Sequence, residues 1–232
     1  MLLKIKLFFV AIFISGCAAQ DTIFPGNENI TITNQTLIYD GMITGEAVLR
    51  AMRISRNNEK PITKLIITSP GGDIAAGIEF GYFIREHNLD VDVSKLCFSA
   101  CANYILPAAR KVVIKRESLV GWHGGAMQEE DLWRPSVPNE QRREFFKYLN
   151  KVRIREQAFY NSIGVDKQIA TYGQTETESC SKQRYSEGWF YSIDDMNRMG
   201  IKDIIIEGEE LVTKIEYEGE EIIACQMPPL FN

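Results

Sequence analysis

Runs of β-branched and aliphatic residues alternate along this chain with segments whose apolar positions recur every three or four residues, and the alternation predicts an order of elements. Residues 36–39 read as a short strand, and Asp40-Gly41-Met42-Ile43 as a turn into a helix capped near Thr44 and running to about Arg56, before Lys60-Pro61 breaks it. Residues 63–68, Thr-Lys-Leu-Ile-Ile-Thr, have the continuous apolar character of a strand buried in a parallel sheet. Asp73 is placed to cap the next helix, in which Ile74, Ile78, Phe80 and Ile84 recur at near-helical spacing as far as His87. Strands are expected at 91–96, 111–114, 119–122 and 204–206, and a buried helix where small residues give way to Tyr104, Ile105 and Leu106. Residues 139–162 form the longest helical stretch, with Phe145, Phe146, Leu149, Val152 and Phe159 on or near one face. Residues 128–137 and 172–186 read as loops. Ser192 opens a short helix ended by Gly200, and residues 211–217 against 221–225 read as a hairpin turning at Glu218-Gly219. Strands and helices in alternation argue for an α/β fold with a mainly parallel sheet.

The N-terminus departs from this pattern. Lys4 and Lys6 precede a short apolar run, 7–14, that ends in Ile14-Ser15-Gly16-Cys17. This is the layout of a secretory signal, and its end is similar to a bacterial lipobox, in which cleavage precedes the cysteine and the thiol takes a lipid. The expectation is a signal peptide at 1–16, a lipidated Cys17 and an Asn-, Thr- and Gly-rich tether to residue 35, followed by one domain at 36–232. Cleavage after Ala19 is the rival reading. Ala18 and Ala19 carry no acidic inner-membrane retention signal, so the expected location is the periplasmic side of the cell envelope, on the outer membrane. Asn29-Ile30-Thr31 and Asn34-Gln35-Thr36 match an N-glycosylation pattern, which the bacterial lipobox makes a coincidence.

Composition narrows the function. With 232 residues, 45% of them hydrophobic, the chain can build one ordinary core. Its net charge of -5, from 26 basic and 31 acidic residues, and the lack of a basic tract argue against nucleic acid as a partner. In an oxidising compartment Cys97, Cys101, Cys180 and Cys225 can form two disulfides in three connectivities. Proximity favours Cys97 with Cys101 and leaves Cys180 for Cys225; free buried thiols are the other option.

The chemistry-bearing residues gather at the ends of predicted strands. They are Ser69-Pro70-Gly71-Gly72, Cys97-Phe98-Ser99-Ala100-Cys101 and Trp122-His123-Gly124-Gly125. A glycine turn can donate backbone N–H groups, a serine can attack a carbonyl, and an imidazole can take the serine's proton. Cys97, Cys101 and His123 could instead ligate a metal, but Cys-x-x-x-Cys is a weak zinc spacing and a fourth ligand is wanting. No metal and no cofactor is expected.

In this order, together with Gly41-Met42-Ile43, these pieces resemble the Clp-type proteolytic subunits and the signal peptide peptidase A group of the crotonase superfamily. The resemblance covers residues 36–125 and, more loosely, 139–206. It implies a crotonase-like ββα spiral and a serine peptidase acting on a peptide or protein. Ser99 falls at the family's nucleophile, His123 at its general base, and its oxyanion hole falls on the backbone N–H groups of Gly72 and Ala100, with Gly71 in the same turn. The family's orienting acid lies just before an aromatic residue, a serine and a short helix, here the stretch Trp189-Phe190-Tyr191-Ser192. Gly188 aligns best with that acid, and Glu187 is the nearest carboxylate. Glu176, Glu178 or a Ser/His pair without an acid are the alternatives. The helix at 139–162 sits where the Clp-type subunits associate, which implies a homo-oligomer. A silent, peptide-binding domain of the same fold is the main alternative function, and acyl-CoA chemistry, as in the crotonase branch, is a third.

Overall fold

The computed structural model describes residues 28–175, 180 and 186–230. The expected signal peptide, Cys17, most of the tether, Glu176 and Glu178 lie outside the described residues. The elements run β1 (Asn29–Thr33), β2 (Thr36–Asp40), α1 (Gly45–Arg56), β3 (Lys64–Ser69), α2 (Ile74–Glu86), β4 (Asp90–Phe98), a π-helical turn (Cys101–Ile105), β5 (Lys111–Ile114) and β6 (Leu119–Gly121). They continue with α3 (Glu130–Trp133), α4 (Arg142–Ile163), α5 (Tyr172–Thr175), β7 (Gly188–Phe190), α6 (Ile193–Arg198), β8 (Ile204–Ile206), β9 (Lys214–Tyr217) and β10 (Glu220–Gln226).

The fold is α/β with a mainly parallel sheet. The main sheet has the order β1-β2-β3-β4-β5-β8, and every pair in it is parallel except β1 with β2. Leu65, Ile67, Val91 and Val93 are fully buried, as strands covered on both faces require. Helix caps are as the sequence suggests: Thr44 accepts from Ala47 N at 3.1 Å, Asp73 from Ala76 N at 2.7 Å and Ser192 from Asp195 N at 3.1 Å. α1 packs on α2, and α2 on the π turn and α4.

β4 makes the arrangement particular to this site. Its first part pairs with β5, Asp90 to Lys111 through Val93 to Ile114; the strand is interrupted by exposed Ser94 and Lys95; its last part pairs with β6, Leu96 to Leu119 through Phe98 to Gly121. The pairing of β3 with β4 also shifts register between Ile67 and Ser69, so that Ser69 lies opposite Cys97, which in turn lies opposite Val120. Three strand ends therefore come level. The turns that leave them carry Gly71-Gly72, Ser99 and His123. A smaller sheet, β7-β10-β9, joins on through mutual backbone bonds between Trp122 and Trp189, at 2.7 and 2.8 Å.

Several expectations need correction. Residues 29–33, expected to be tether, form β1, paired with β2 around the two-residue turn Asn34-Gln35, with Ile30 buried beneath α1 and Asn34 at φ 56°. The period-two alternation of Ile30 and Ile32 outweighs the polar composition. The expected loops at 128–137 and 172–186 contain α3 with a 3₁₀ turn and α5 respectively. α4 begins at Arg142, after a 3₁₀ turn, and ends on Gly164 at φ 70°. β7 was not expected as a strand; three residues carry no measurable period.

Candidate functional site

Ser99 stands at the sharp turn between β4 and the π turn. Its φ is 55°, a left-handed conformation that costs a residue with a side chain about 1–2 kcal/mol. Three ties hold it there. Its N–H donates to Gly121 O at 2.9 Å, its carbonyl accepts from Asn103 N at 2.8 Å, and a Cys97–Cys101 disulfide spans the turn with a Cα–Cα distance of 5.1 Å. Both thiols are thereby consumed, so the alternative of a metal held by Cys97, Cys101 and His123 does not apply. The second disulfide joins Cys180 to Cys225, the pairing that proximity favoured.

The glycine turn after β3 closes against this serine. Gly71 has φ 98°, and a Cβ on it would lie 2.5 Å from Ser99 Cβ, so only glycine lets the two turns meet. Ile43 bridges the next residue: its N–H donates to Gly71 O at 2.7 Å and its carbonyl accepts from Asp73 N at 2.8 Å. That pairing leaves the N–H of Gly72 itself out of the ladder. Ala100 opens the helical turn, where N–H groups have no carbonyl one turn back. Two backbone donors are thus available beside Ser99, and both residues line the same cavity.

His123 follows β6, and its Nε2 is hydrogen-bonded to Ser99 Oγ across 2.6 Å. Its ring packs against Phe98 with centroids 5.5 Å apart, and its carbonyl accepts from Gln174 Nε2 at 3.0 Å. The residue is open to solvent on one side, yet the protein around the imidazole pushes its pKa below the ordinary value by desolvation. It is therefore neutral, and able to accept a proton, at pH 7. The second histidine, His87, caps α2, packs its ring on Phe83 and donates from Nδ1 to Phe83 O at 2.9 Å.

Glu187 is not brought to His123. Its carboxylate accepts from Ile223 N at 2.6 Å and its own N–H donates to Ile223 O at 2.9 Å, so it fastens the start of β7 to β10. Gly188, which aligns with the orienting acid, lies so close to Trp122 O that a Cβ there would overlap the carbonyl. The backbone bridge between Trp122 and Trp189 occupies the space an acid would need. Among the described residues, no carboxylate hydrogen-bonds His123.

A cavity of about 440 Å³ opens in front of the pair. Ile74, Leu132 and Trp133 give it an apolar wall, Asn103, Gln128 and Gln174 a polar one, and among the described residues no charged side chain lines it. Leu132 and Trp133 belong to α3, in the segment expected to be loop. Gln174 donates to Gln128 Oε1 at 3.1 Å as well as to His123 O, which ties α5 to the segment that carries His123 and Gln128. Neither glutamine carries a sequence signal, because a lone amide in a polar stretch is an ordinary surface residue.

No family model and no curated protein sequence matches this chain. Among solved structures, it is similar to a methylmalonyl CoA decarboxylase complexed with 2S-carboxypropyl CoA, with a TM-score of 0.33 and 12% identity over 40% of this chain and 48% of that one. It is also similar to an enoyl-CoA hydratase from Polaromonas sp. JS666, with a TM-score of 0.32 and 18% identity over 40% of this chain and 50% of that one. Each match thus spans about half the length of the solved chain.

Proposed function

We propose that this protein is a serine hydrolase, most simply a peptidase of the Clp/crotonase type, with Ser99 as nucleophile and His123 as general base. The observation that carries the proposal is the 2.6 Å contact between Ser99 Oγ and His123 Nε2 at the mouth of a cavity that Gly72 and Ala100 also line. Neutral His123 takes the hydroxyl proton as Oγ attacks a carbonyl carbon. The N–H groups of Gly72 and Ala100 hold the oxyanion that results, and one such donor is worth about 3 kcal/mol because it is fixed before charge develops. The imidazolium then protonates the leaving amine, and water, deprotonated by the same imidazole, releases the acyl group. A dyad can run this sequence. The third group of a triad holds the tautomer and adds rate, and it is not needed for the balance of protons.

We further propose that Cys17 is lipidated and tethers the domain to the outer membrane, facing the periplasm, where it meets peptide or protein substrates as a homo-oligomer. Among the described residues no helix is long and apolar enough to cross a membrane; this reading takes a lipid on Cys17 as the anchor. An acyl-modified Cys17 peptide in the mass spectrum of protein purified from membranes tests it.

A second reading, a peptide-binding domain without turnover, draws on the finding that no carboxylate among the described residues bonds His123. A fluorophosphonate probe separates the two. Oxidised wild-type protein takes one label, on Ser99, and Ser99→Ala takes none; a folded wild type that takes no label defeats the hydrolase reading and leaves the binding domain.

A further inference from the structure

α4 buries Leu149, Val152, Phe159 and Tyr160 against the core, and on the same face it buries Glu156 at 0% exposure. A carboxylate in that place costs several kcal/mol unless its oxygens are bonded, so what bonds it defines what it is for. Oε1 accepts from Tyr104 Oη at 2.5 Å and from Ala126 N at 3.1 Å, and Oε2 accepts from Met127 N at 3.0 Å. Tyr104 belongs to the turn that begins at Ser99. Ala126 and Met127 belong to the strap that follows His123.

We infer that Glu156 is a positioning residue that fixes His123 relative to Ser99, an inference that rests on reading those two as the reacting pair. The carboxylate touches both segments at once, the serine-bearing turn through a side chain and the histidine-bearing strap through its main chain. Neighbours complete the joint. Asn103, on the same turn, donates from Nδ2 to Gly124 O at 2.8 Å, and its own carbonyl accepts from Tyr160 Oη at 3.1 Å. Arg153, one helical turn before Glu156, donates to Ala126 O and Gln128 O, each at 2.8 Å. The strap from Gly124 to Gln128 is therefore gripped at five main-chain atoms by side chains of the π turn and α4 alone. His123 has one side open to solvent, so its ring position follows that of the strap. An apolar residue at 156 would fill the space at lower desolvation cost and leave two strap N–H groups with no acceptor.

The test uses the whole chain with Glu156→Gln and Tyr104→Phe. Glutamine keeps one acceptor oxygen but turns an NH₂ toward a strap N–H, so one bond is lost with little change of volume. Fluorophosphonate labelling is timed for each variant and melting temperature is recorded. The two imidazoles of the chain are titrated by NMR, with His87→Gln assigning them. Glu156→Gln is expected to label at least about tenfold more slowly, since displacements near 1 Å carry effects of that order and larger. Its His123 titration midpoint should rise toward the ordinary imidazole value as the loosened ring gains water, with that of His87 unmoved. Tyr104→Phe, which keeps both strap bonds, should show the same changes to a smaller extent. A folded Glu156→Gln variant that melts lower, labels at the wild-type rate and keeps the wild-type His123 midpoint overturns the inference. If Glu156→Gln does not fold, an unchanged rate and midpoint in Tyr104→Phe overturn it. A wild type that takes no label sinks the hydrolase reading instead, and the NMR midpoints then decide the positioning role by themselves.

Discussion

The two disulfides should separate stability from reactivity. In the chain-entropy picture, a crosslink stabilises by restricting the unfolded chain, increasingly with the length of loop closed. Cys97–Cys101 closes a loop with a sequence separation of 4, which gives about 2 kcal/mol, and Cys180–Cys225 one with a separation of 45, which gives about 4 kcal/mol. At roughly 2–4 °C per kcal/mol for a domain of this size, Cys97→Ala with Cys101→Ala should lower the melting temperature by about 4–8 °C, and Cys180→Ala with Cys225→Ala by about twice that. Reactivity should rank the other way. The short crosslink spans Ser99, whose left-handed backbone costs about 1–2 kcal/mol and relaxes once the bridge is gone, whereas neither Cys180 nor Cys225 lines the cavity. Calorimetry through the melting transition and fluorophosphonate labelling well below it provide the comparison. If the long-loop variant labels as slowly as the short-loop variant, or the short-loop variant labels at the wild-type rate, the bridge across Ser99 does not preorganise it and the reasoning fails.

Three further outcomes follow from the geometry. His123→Ala should reduce labelling by about 10²–10⁴-fold; in the wild type the rate should fall on the acid side with a midpoint below about 6.5, since only the neutral imidazole accepts a proton and desolvation holds its pKa down. The folded state binds that proton less tightly than the unfolded chain, so stability should also decline as pH falls below about 6.5, and a midpoint above that value would contradict the assignment. Gly188→Asp, which puts a carboxylate at the position the Clp-type resemblance would give the orienting acid, should lower the melting temperature without raising the labelling rate, because its Cβ meets Trp122 O; faster labelling would show that the strand can move aside. Ile30→Ala should cost about 2–4 kcal/mol in denaturant unfolding, since Ile30 is 3% exposed in β1, whereas a tether residue would cost nothing measurable.

The strands β2 to β6 and β8, the helix caps and the three strand-end turns were legible in the sequence because each depends on residues within one element or one turn. Thr44, Asp73 and Ser192 announce helix starts by local chemistry, and Gly71-Gly72, Ser99 and His123 sit where periodic apolar runs stop. The surroundings of His123 were not legible, because they depend on which strand lies beside β6. That neighbour is β7, only three residues long, and it presents Gly188 and a main-chain bridge in place of the expected acid. Glu156 left a trace, a lone carboxylate among the apolar positions of a helix, but its meaning appears only when α4 is laid across the strap after His123. β1 was hidden by composition, since asparagine and threonine suggested a tether while the alternation of Ile30 and Ile32 pointed to a strand.

The register that sets Ser69, Cys97 and Val120 side by side has a kinetic consequence. Parallel neighbours pair only after the crossover between them has formed, so non-local closure precedes any reward from pairing. No fragment of the chain holds the glycine turn, the serine and the histidine in one local segment, and β6 joins β4 only through the part of that strand that β5 does not use. Reactivity toward a serine probe is therefore expected late in refolding, after helical circular dichroism has recovered. The emergence of a labelled Ser99 then serves as a clock for the closing of the sheet.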